Sequence, residues 1–225
     1  SPVMAHASNE VEEMVSHSKA LVLNIGTLTD AWVSSMIRAG KRANQLHIPV
    51  VLDPVGSGAT SFRTASVKKI LSTVSVGILR GNPSEILSLS DRDFTTKGVD
   101  SIHCVEETLD MATTLAEELK VTLAVTGPVD LITDGKKAVR VHNGHPLMGR
   151  VTGTGCTATA LIAAFAAVDD DPVGAAAIAL SVFGIAGEVA GSKFQAPGSF
   201  MIGLLDALYE MTPEMIRAQS RISEG

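Results

Sequence analysis

An α/β fold, with a mostly parallel central sheet flanked by helices and a hairpin at the sheet edge, follows from three observations in this sequence. Short runs, β-branched or leucine-rich and bounded by Gly, Pro or Asn, recur without clean period-two alternation, as in strands covered on both faces. Helical patterns separate these runs, and such alternation implies parallel strands joined by right-handed crossovers. Past Thr126 and Gly127 two short runs flank a turn signal, which reads as antiparallel pairing.

The strands expected from these runs are Ala20 to Ile25, Ile48 to Leu52, Val76 to Leu79 and Leu123 to Val125. Between them lie helical patterns over Ala31 to Leu46, with Thr29 or Asp30 as its cap, Ser61 to Leu71, Ser84 to Leu89 and Glu106 to Leu119. Asp130 to Thr133 and Ala138 to His142 flank Asp134-Gly135-Lys136 and form the hairpin that closes the sheet edge. From Thr154 onward the chain reads as helical. Its run from Ala158 to Val168 is apolar, and Ala175 to Ala190 is rich in alanine and glycine, which lets helices approach closely. There is no internal repeat, linker or charge block, so residues 1–225 read as a single domain.

A formal net charge of -6 and scattered lysines and arginines leave no nucleic-acid footprint. No charge-free run of 18 apolar residues and no secretory leader is visible, so membrane partners are not expected. Cys104 and Cys156 lack metal-ligand spacing, and an acidic α/β chain with so few cysteines is most simply a reduced cytoplasmic protein, although a disulfide between the two stays open. The opening Ser1-Pro2-Val3-Met4 reads as the interior of an ordered domain, so a preceding segment is expected.

Three loops carry the chemistry, and in an open parallel sheet ligands bind at the carboxyl ends of the strands. Gly153-Thr154-Gly155-Cys156 runs a bare turn into a small-residue helix, whose unpaired first amides and dipole suit an anion. A close-packing turn is the plain alternative, and Cys156 is either filler or an activated thiol. Neither the Walker pattern nor the dinucleotide fingerprint occurs, so a phosphate site here is of another kind. In Arg80-Gly81-Asn82-Pro83-Ser84-Glu85 a strand ends in a cation and a helix begins with an amide and a carboxylate three residues apart. That spacing makes a capping box; it also suits Arg80 for phosphates and Glu85 for water on Mg²⁺. Asp53 ends an apolar strand some residues before the next helix and is a better metal or water partner than a helix cap. The histidines, His6, His17, His47, His103, His142 and His145, show no catalytic spacing, and Trp32 and the methionines read as core or interface filler.

With those loops in place the sequence resembles the hydroxyethylthiazole kinase family of the ribokinase-like superfamily. The matching strings run in order: Ser1-Pro2-Val3-Met4-Ala5, Asn24-Ile25-Gly26-Thr27-Leu28, Leu52-Asp53-Pro54-Val55, Arg80-Gly81-Asn82-Pro83-Ser84-Glu85-Ile86, Val125-Thr126-Gly127, Thr133-Asp134-Gly135, Pro146-Leu147-Met148, Gly153-Thr154-Gly155-Cys156 and Pro197-Gly198-Ser199-Phe200. Each is weak alone and the ordered set is specific. Cys156 stands where most ribokinase-like kinases carry aspartate after Gly-Thr-Gly.

The resemblance implies a ribokinase-like fold and transfer of the ATP γ-phosphate to the alcohol of hydroxyethylthiazole, with Mg²⁺, in thiamine salvage. Met4 and Gly153 would then contact the thiazole, Arg80, Asn82 and Thr126 the nucleotide, and Asp53 and Glu85 the magnesium, through water. Residues Gly153 to Cys156 would form the anion hole, whose amides rank above the sulfur; Cys156 is the candidate catalytic residue, as a base or only as a packed thiol, and a carboxylate could equally take the alcohol proton. A homotrimer with sites between subunits is implied, in which Asn24, Gly26 and Thr27 complete a neighbour's pocket. Members normally begin about forty residues earlier. Kinases acting on hydroxymethylpyrimidine or pyridoxal, a nicotinamide-hydrate dehydratase of the same architecture, and a binding domain without catalysis are the alternatives.

Overall fold

The computed structural model of the chain describes residues 2–90 and 105–225, the side chains of 105–108 excepted. Ser1, His103 and Cys104, and with them the open disulfide, lie outside the described residues.

Among the described residues, seven strands form one sheet in chain order: β1 Leu21–Asn24, β2 Val50–Asp53, β3 Ile78–Gly81, β4 Thr122–Val125, β5 Asp130–Thr133, β6 Ala138–Val141 and β7 Ile222–Glu224. The first four are parallel and the last three pairings are antiparallel. Helices α2 Asp30–Gln45, α3 Ser61–Leu71, and α4 Pro83–Leu87 with α5 Val105–Leu119 make the crossovers. Their starts follow the side chains that satisfy them. Thr29 Oγ1 accepts from Trp32 N, Thr60 Oγ1 from Arg63 N, and Asn82 completes a capping box with Glu85.

Along each parallel strand, side chains alternate between two dry layers. Leu23, Leu52, Leu79 and Leu123 pack with Met36 and Val67 on the face of α2 and α3. Val51, Ile78, Ala124 and Ile132 meet the other layer, built from α6 Thr154–Ala166, α7 Pro172–Lys193 and α8 Pro197–Tyr209. Because both faces are apolar, the alternation is invisible as polarity.

Two elements differ from expectation. The short helix α1 Val11–Ser16 precedes β1 and buries Val11 and Val15. The chain is also not helical to its end. After α9 Pro213–Gln219, β7 pairs with β6 and takes the sheet edge that the hairpin was expected to close. Polar contacts hold that final strand: Asn143 Oδ1 accepts from Arg221 N at 2.8 Å, and the Arg221 guanidinium meets Glu188 of α7. An exposed three-residue strand has no periodic apolar signature.

Helix α7 is long and apolar enough to cross a membrane by length and composition, but 78% of the apolar window is buried inside the fold. It is a core helix. Trp32 stacks on His6 with ring centroids 4.5 Å apart, and Met36 is core, whereas Met4 is 95% exposed.

Candidate active site

The register of the sheet brings the chemistry to one row. Asn24 pairs with Asp53, Arg80 with Ala124, and Ala124 with Ile132, all on the face that meets α6 and α7. Residues two further along a strand return to the same face, so Thr126 and Asp130 form the next row. Side chains from β1, β2, β3 and the ends of β4 and β5 therefore converge under the start of α6.

That start is built by glycines. Gly153 is the N-cap of α6 at φ +97°, a left-handed conformation that disfavours any side chain, and it offers no side-chain cap. A Cβ on Gly153 would meet nothing within 4 Å, so the space before the helix is open. Gly155 serves a different purpose: a Cβ there would lie 2.6 Å from Arg80 Nη1. The bare backbone lets the guanidinium lie against the first turn. Thr154 turns its hydroxyl back to Met148 O and Val151 O at 2.9 and 3.0 Å, tying the helix to the 3-10 turn Pro146–Arg150. Thr154, Gly155 and Cys156 occupy the first turn, where amides have no intrahelical partner, and Arg80 adds a full positive charge nearby.

Asp53 is fully buried at the centre. Its Oδ2 accepts from Thr159 Oγ1 at 2.8 Å and Asn24 Nδ2 at 3.1 Å, and Arg80 Nη1 lies 3.7 Å away. Burial raises its pKa above the ordinary carboxylate value; Arg80 and the Thr159 hydroxyl pull it down, and Glu85 adds a smaller push upward. Asp53 Oδ1 and Arg80 Nε are buried without a hydrogen-bond partner. Arg80 Nη2 donates to Thr126 Oγ1 at 2.6 Å.

Glu85 closes the capping box that its spacing allowed and also reaches the neighbouring turn. Its Oε2 accepts from Asn82 N at 2.9 Å to close the capping box, and its Oε1 accepts from Gly56 N at 2.8 Å. One carboxylate thus ties the turn after β2 to the turn after β3. Cys156 is a free, exposed thiol whose Sγ lies 3.3 Å from Asn24 Nδ2. Gly26 N donates to Asn24 Oδ1 at 2.8 Å, Gly26 is half-buried, and Thr27 is exposed on the same loop.

Three residues escaped the sequence reading. Arg63, from α3, donates to Ile25 O, Val55 O and Gly26 O at 2.7–3.0 Å, stapling the loops after β1 and β2. Thr159 follows Cys156 by three positions, one helical step onto the sheet-facing side, and such spacing could have found it. Asp130 is 8% exposed and accepts from Gly127 N at 2.9 Å. Burial pushes its pKa up to about 7, against the pull of that amide and of Arg80. An aspartate opening a strand straight after Thr126-Gly127 was the available signal. His142 bonds Ser223 and His145 stacks on Phe200, so both have structural partners.

The donor set fits a magnesium ion held in part by phosphates. Mg²⁺ keeps several waters and takes one or two carboxylates, not an all-protein cage. Asp53 Oδ1 is an unpartnered carboxylate oxygen beside Glu85, and among the described residues no cluster of three His, Cys, Asp or Glu side chains could hold a metal alone.

The chain is similar to known proteins over its whole length. The model of the hydroxyethylthiazole kinase family matches residues 1–214. A hydroxyethylthiazole kinase of Desulfotalea psychrophila is 58% identical over 225 residues, covering 100% of this chain and 82% of its own length. One from Desulfosudis oleivorans is 52% identical, with 100% and 82% covered. The solved hydroxyethylthiazole kinase of Pyrococcus horikoshii superposes with a TM-score of 0.91 at 45% identity, covering 100% of this chain and 84% of that one. A pyridoxal kinase of Staphylococcus aureus, at TM-score 0.60 and 16% identity over 96% of this chain and 77% of that one, shares the fold.

Proposed function

The chain belongs to the hydroxyethylthiazole kinase family, and on that premise we propose how its residues carry the reaction. The enzyme transfers the γ-phosphoryl group of ATP to the primary alcohol of 4-methyl-5-(2-hydroxyethyl)thiazole, the step of thiamine salvage. A bond forms between the alcohol oxygen and the γ-phosphorus. The bond to the β,γ-bridging oxygen breaks, its electron pair leaves with ADP, and the alcohol proton passes to a base.

Such transfer depends mostly on positioning and charge stabilisation. The backbone amides of Gly153 to Cys156 and the Arg80 guanidinium face the charge that spreads over the moving phosphoryl group. Arg80, Thr126 and Asn82 serve the nucleotide, and Gly153 leaves room for the substrate. Met4 contacts the thiazole. Gly26 and Thr27 complete the thiazole pocket of a neighbouring subunit in a homotrimer. Cys156 accepts the alcohol proton. Asp53, with one carboxylate oxygen free of hydrogen bonds, and Glu85 would hold Mg²⁺ through water. Such an ion would neutralise part of the phosphate charge. The protein is soluble, cytoplasmic and works on small molecules as one domain.

The observation that carries this reading is the convergence of Asp53 and Arg80 beneath an uncapped helix start, where Gly155 leaves no Cβ to hold the guanidinium away. Thiazole-dependent ADP release, with phosphorylated thiazole identified by mass and the assay repeated after magnesium removal, is the test. ADP formed without the phosphorylated alcohol, or only with pyridoxal or hydroxymethylpyrimidine, would refute it.

A further inference from the structure

Asn24 has its side-chain amide engaged within its own chain. Oδ1 accepts from Gly26 N at 2.8 Å, a local turn that fixes which way the amide faces. Nδ2 then reaches two acceptors, Asp53 Oδ2 at 3.1 Å and Cys156 Sγ at 3.3 Å. An amide nitrogen has two hydrogens, and both are spent here. The anchors are rigid. Asn24 and Asp53 are register partners in adjacent parallel strands, and Asp53 is fixed from below by Thr159 of α6, three residues after Cys156.

We infer that Asn24 is a positioning residue for Cys156 in its own subunit, holding Sγ on the side of the helix that faces the Asp53–Arg80 row, and does not line a neighbour's thiazole pocket. This rests on the kinase reading above. Without the amide, Sγ is an exposed atom on a first-turn side chain that has several staggered rotamers open to it. With the amide it has one directional partner tied to the carboxylate at the centre of the site. A group placed this way affects the chemical step and leaves substrate affinity largely alone.

Asn24→Ser tests the assignment. The serine hydroxyl can keep the local turn to Gly26 N but is too short to reach the sulfur. In otherwise unaltered protein, kcat is expected to fall about ten-fold while KM for hydroxyethylthiazole stays within about two-fold. In the Cys156→Ala background the same change is expected to alter kcat less than about two-fold, because the effect passes through the missing sulfur. An equal fall in both backgrounds would overturn the assignment in favour of a structural role or one through Asp53. A rise in KM in both backgrounds would overturn it in favour of direct thiazole contact. Asn24→Ala carries the same expectations should the serine variant not fold. A second readout needs no turnover: in crystals of the Asn24 variant, Cys156 Sγ is expected to leave its rotamer or occupy several, and an unchanged single rotamer refutes the inference. Unaltered protein that releases no ADP with the thiazole would refute the substrate reading and leave the crystallographic readout to decide the role of Asn24.

Discussion

Replacing Asp130 with asparagine removes a buried titrating carboxyl and keeps an oxygen able to accept from Gly127 N. Burial raises the carboxyl from 3.8 to about 7, with the Gly127 amide and Arg80 opposing it. The folded chain thus binds this proton more tightly than the unfolded chain. A raised carboxyl contributes stability in full below its unfolded value near 3.8, and that contribution is lost as pH rises through about 7. A gap of about three units at about 1.4 kcal/mol each amounts to roughly 4 kcal/mol over the window. Urea unfolding of wild type and Asp130→Asn, compared from about pH 4 to about pH 8, cancels the other titrating groups. Wild type should lose up to roughly 4 kcal/mol relative to the variant as pH rises, with most of the change below pH 7. A difference between the two proteins that stays constant across that range would refute the argument. The same carboxyl braces the loop that presents Thr126, so ATP affinity of the two proteins should diverge as pH rises through about 7.

Other changes separate the parts of the site. Gly155→Ala places a methyl 2.6 Å from Arg80 Nη1 and should lower kcat/KM for ATP about ten-fold, with little change in melting temperature. In Glu85→Gln the side chain has one acceptor oxygen for two backbone donors, Gly56 N and Asn82 N, so calorimetry should show a loss of about 1–3 kcal/mol. Arg63→Met strands three loop carbonyls and should lower the melting temperature by several degrees, at about 2–4 °C per kcal/mol, and raise KM for the thiazole. Cys156→Ala should keep part of the turnover and Cys156→Asp should stay active, since amides and cations carry most of the stabilisation. Loss of all turnover in both would show the sulfur to be indispensable.

Much of the sheet was legible because local chemistry decides it. Thr29, Thr60 and the Asn82–Glu85 pair start helices through bonds spanning three residues, so each is readable at short range. The strand end β7 was not, because what holds it is long-range: Arg221 and Gln219 bond to Asn143, more than seventy residues earlier. The site divides the same way. Asp53, Arg80 and the Gly153–Cys156 turn stand out as polar or bare residues at the ends of apolar runs. Arg63 and Thr159 look like ordinary helix residues, and only the fold shows that one staples two loops and the other bonds a buried carboxylate. The row itself was hidden because both faces of the sheet are apolar, which erased the alternation that assigns Asp53, Arg80 and Asp130 to one side.

The helix start proposed to receive the phosphate is held from behind by the core helix. Gly184, Gly187 and Gly191 lie three and four residues apart on one side of α7, and a Cβ on each would collide with Asn143, Met148 and His145 in turn. The segment from Asn143 to Met148 therefore lies flush against α7 because those three positions are bare. Met148 O then accepts from Thr154 Oγ1, which sets the first turn of α6. The alanine and glycine content that reads as close helix packing thus has a second effect. It sets the depth of the turn that leads into α6, so a cavity or a bulge in α7 should be felt at the proposed anion site.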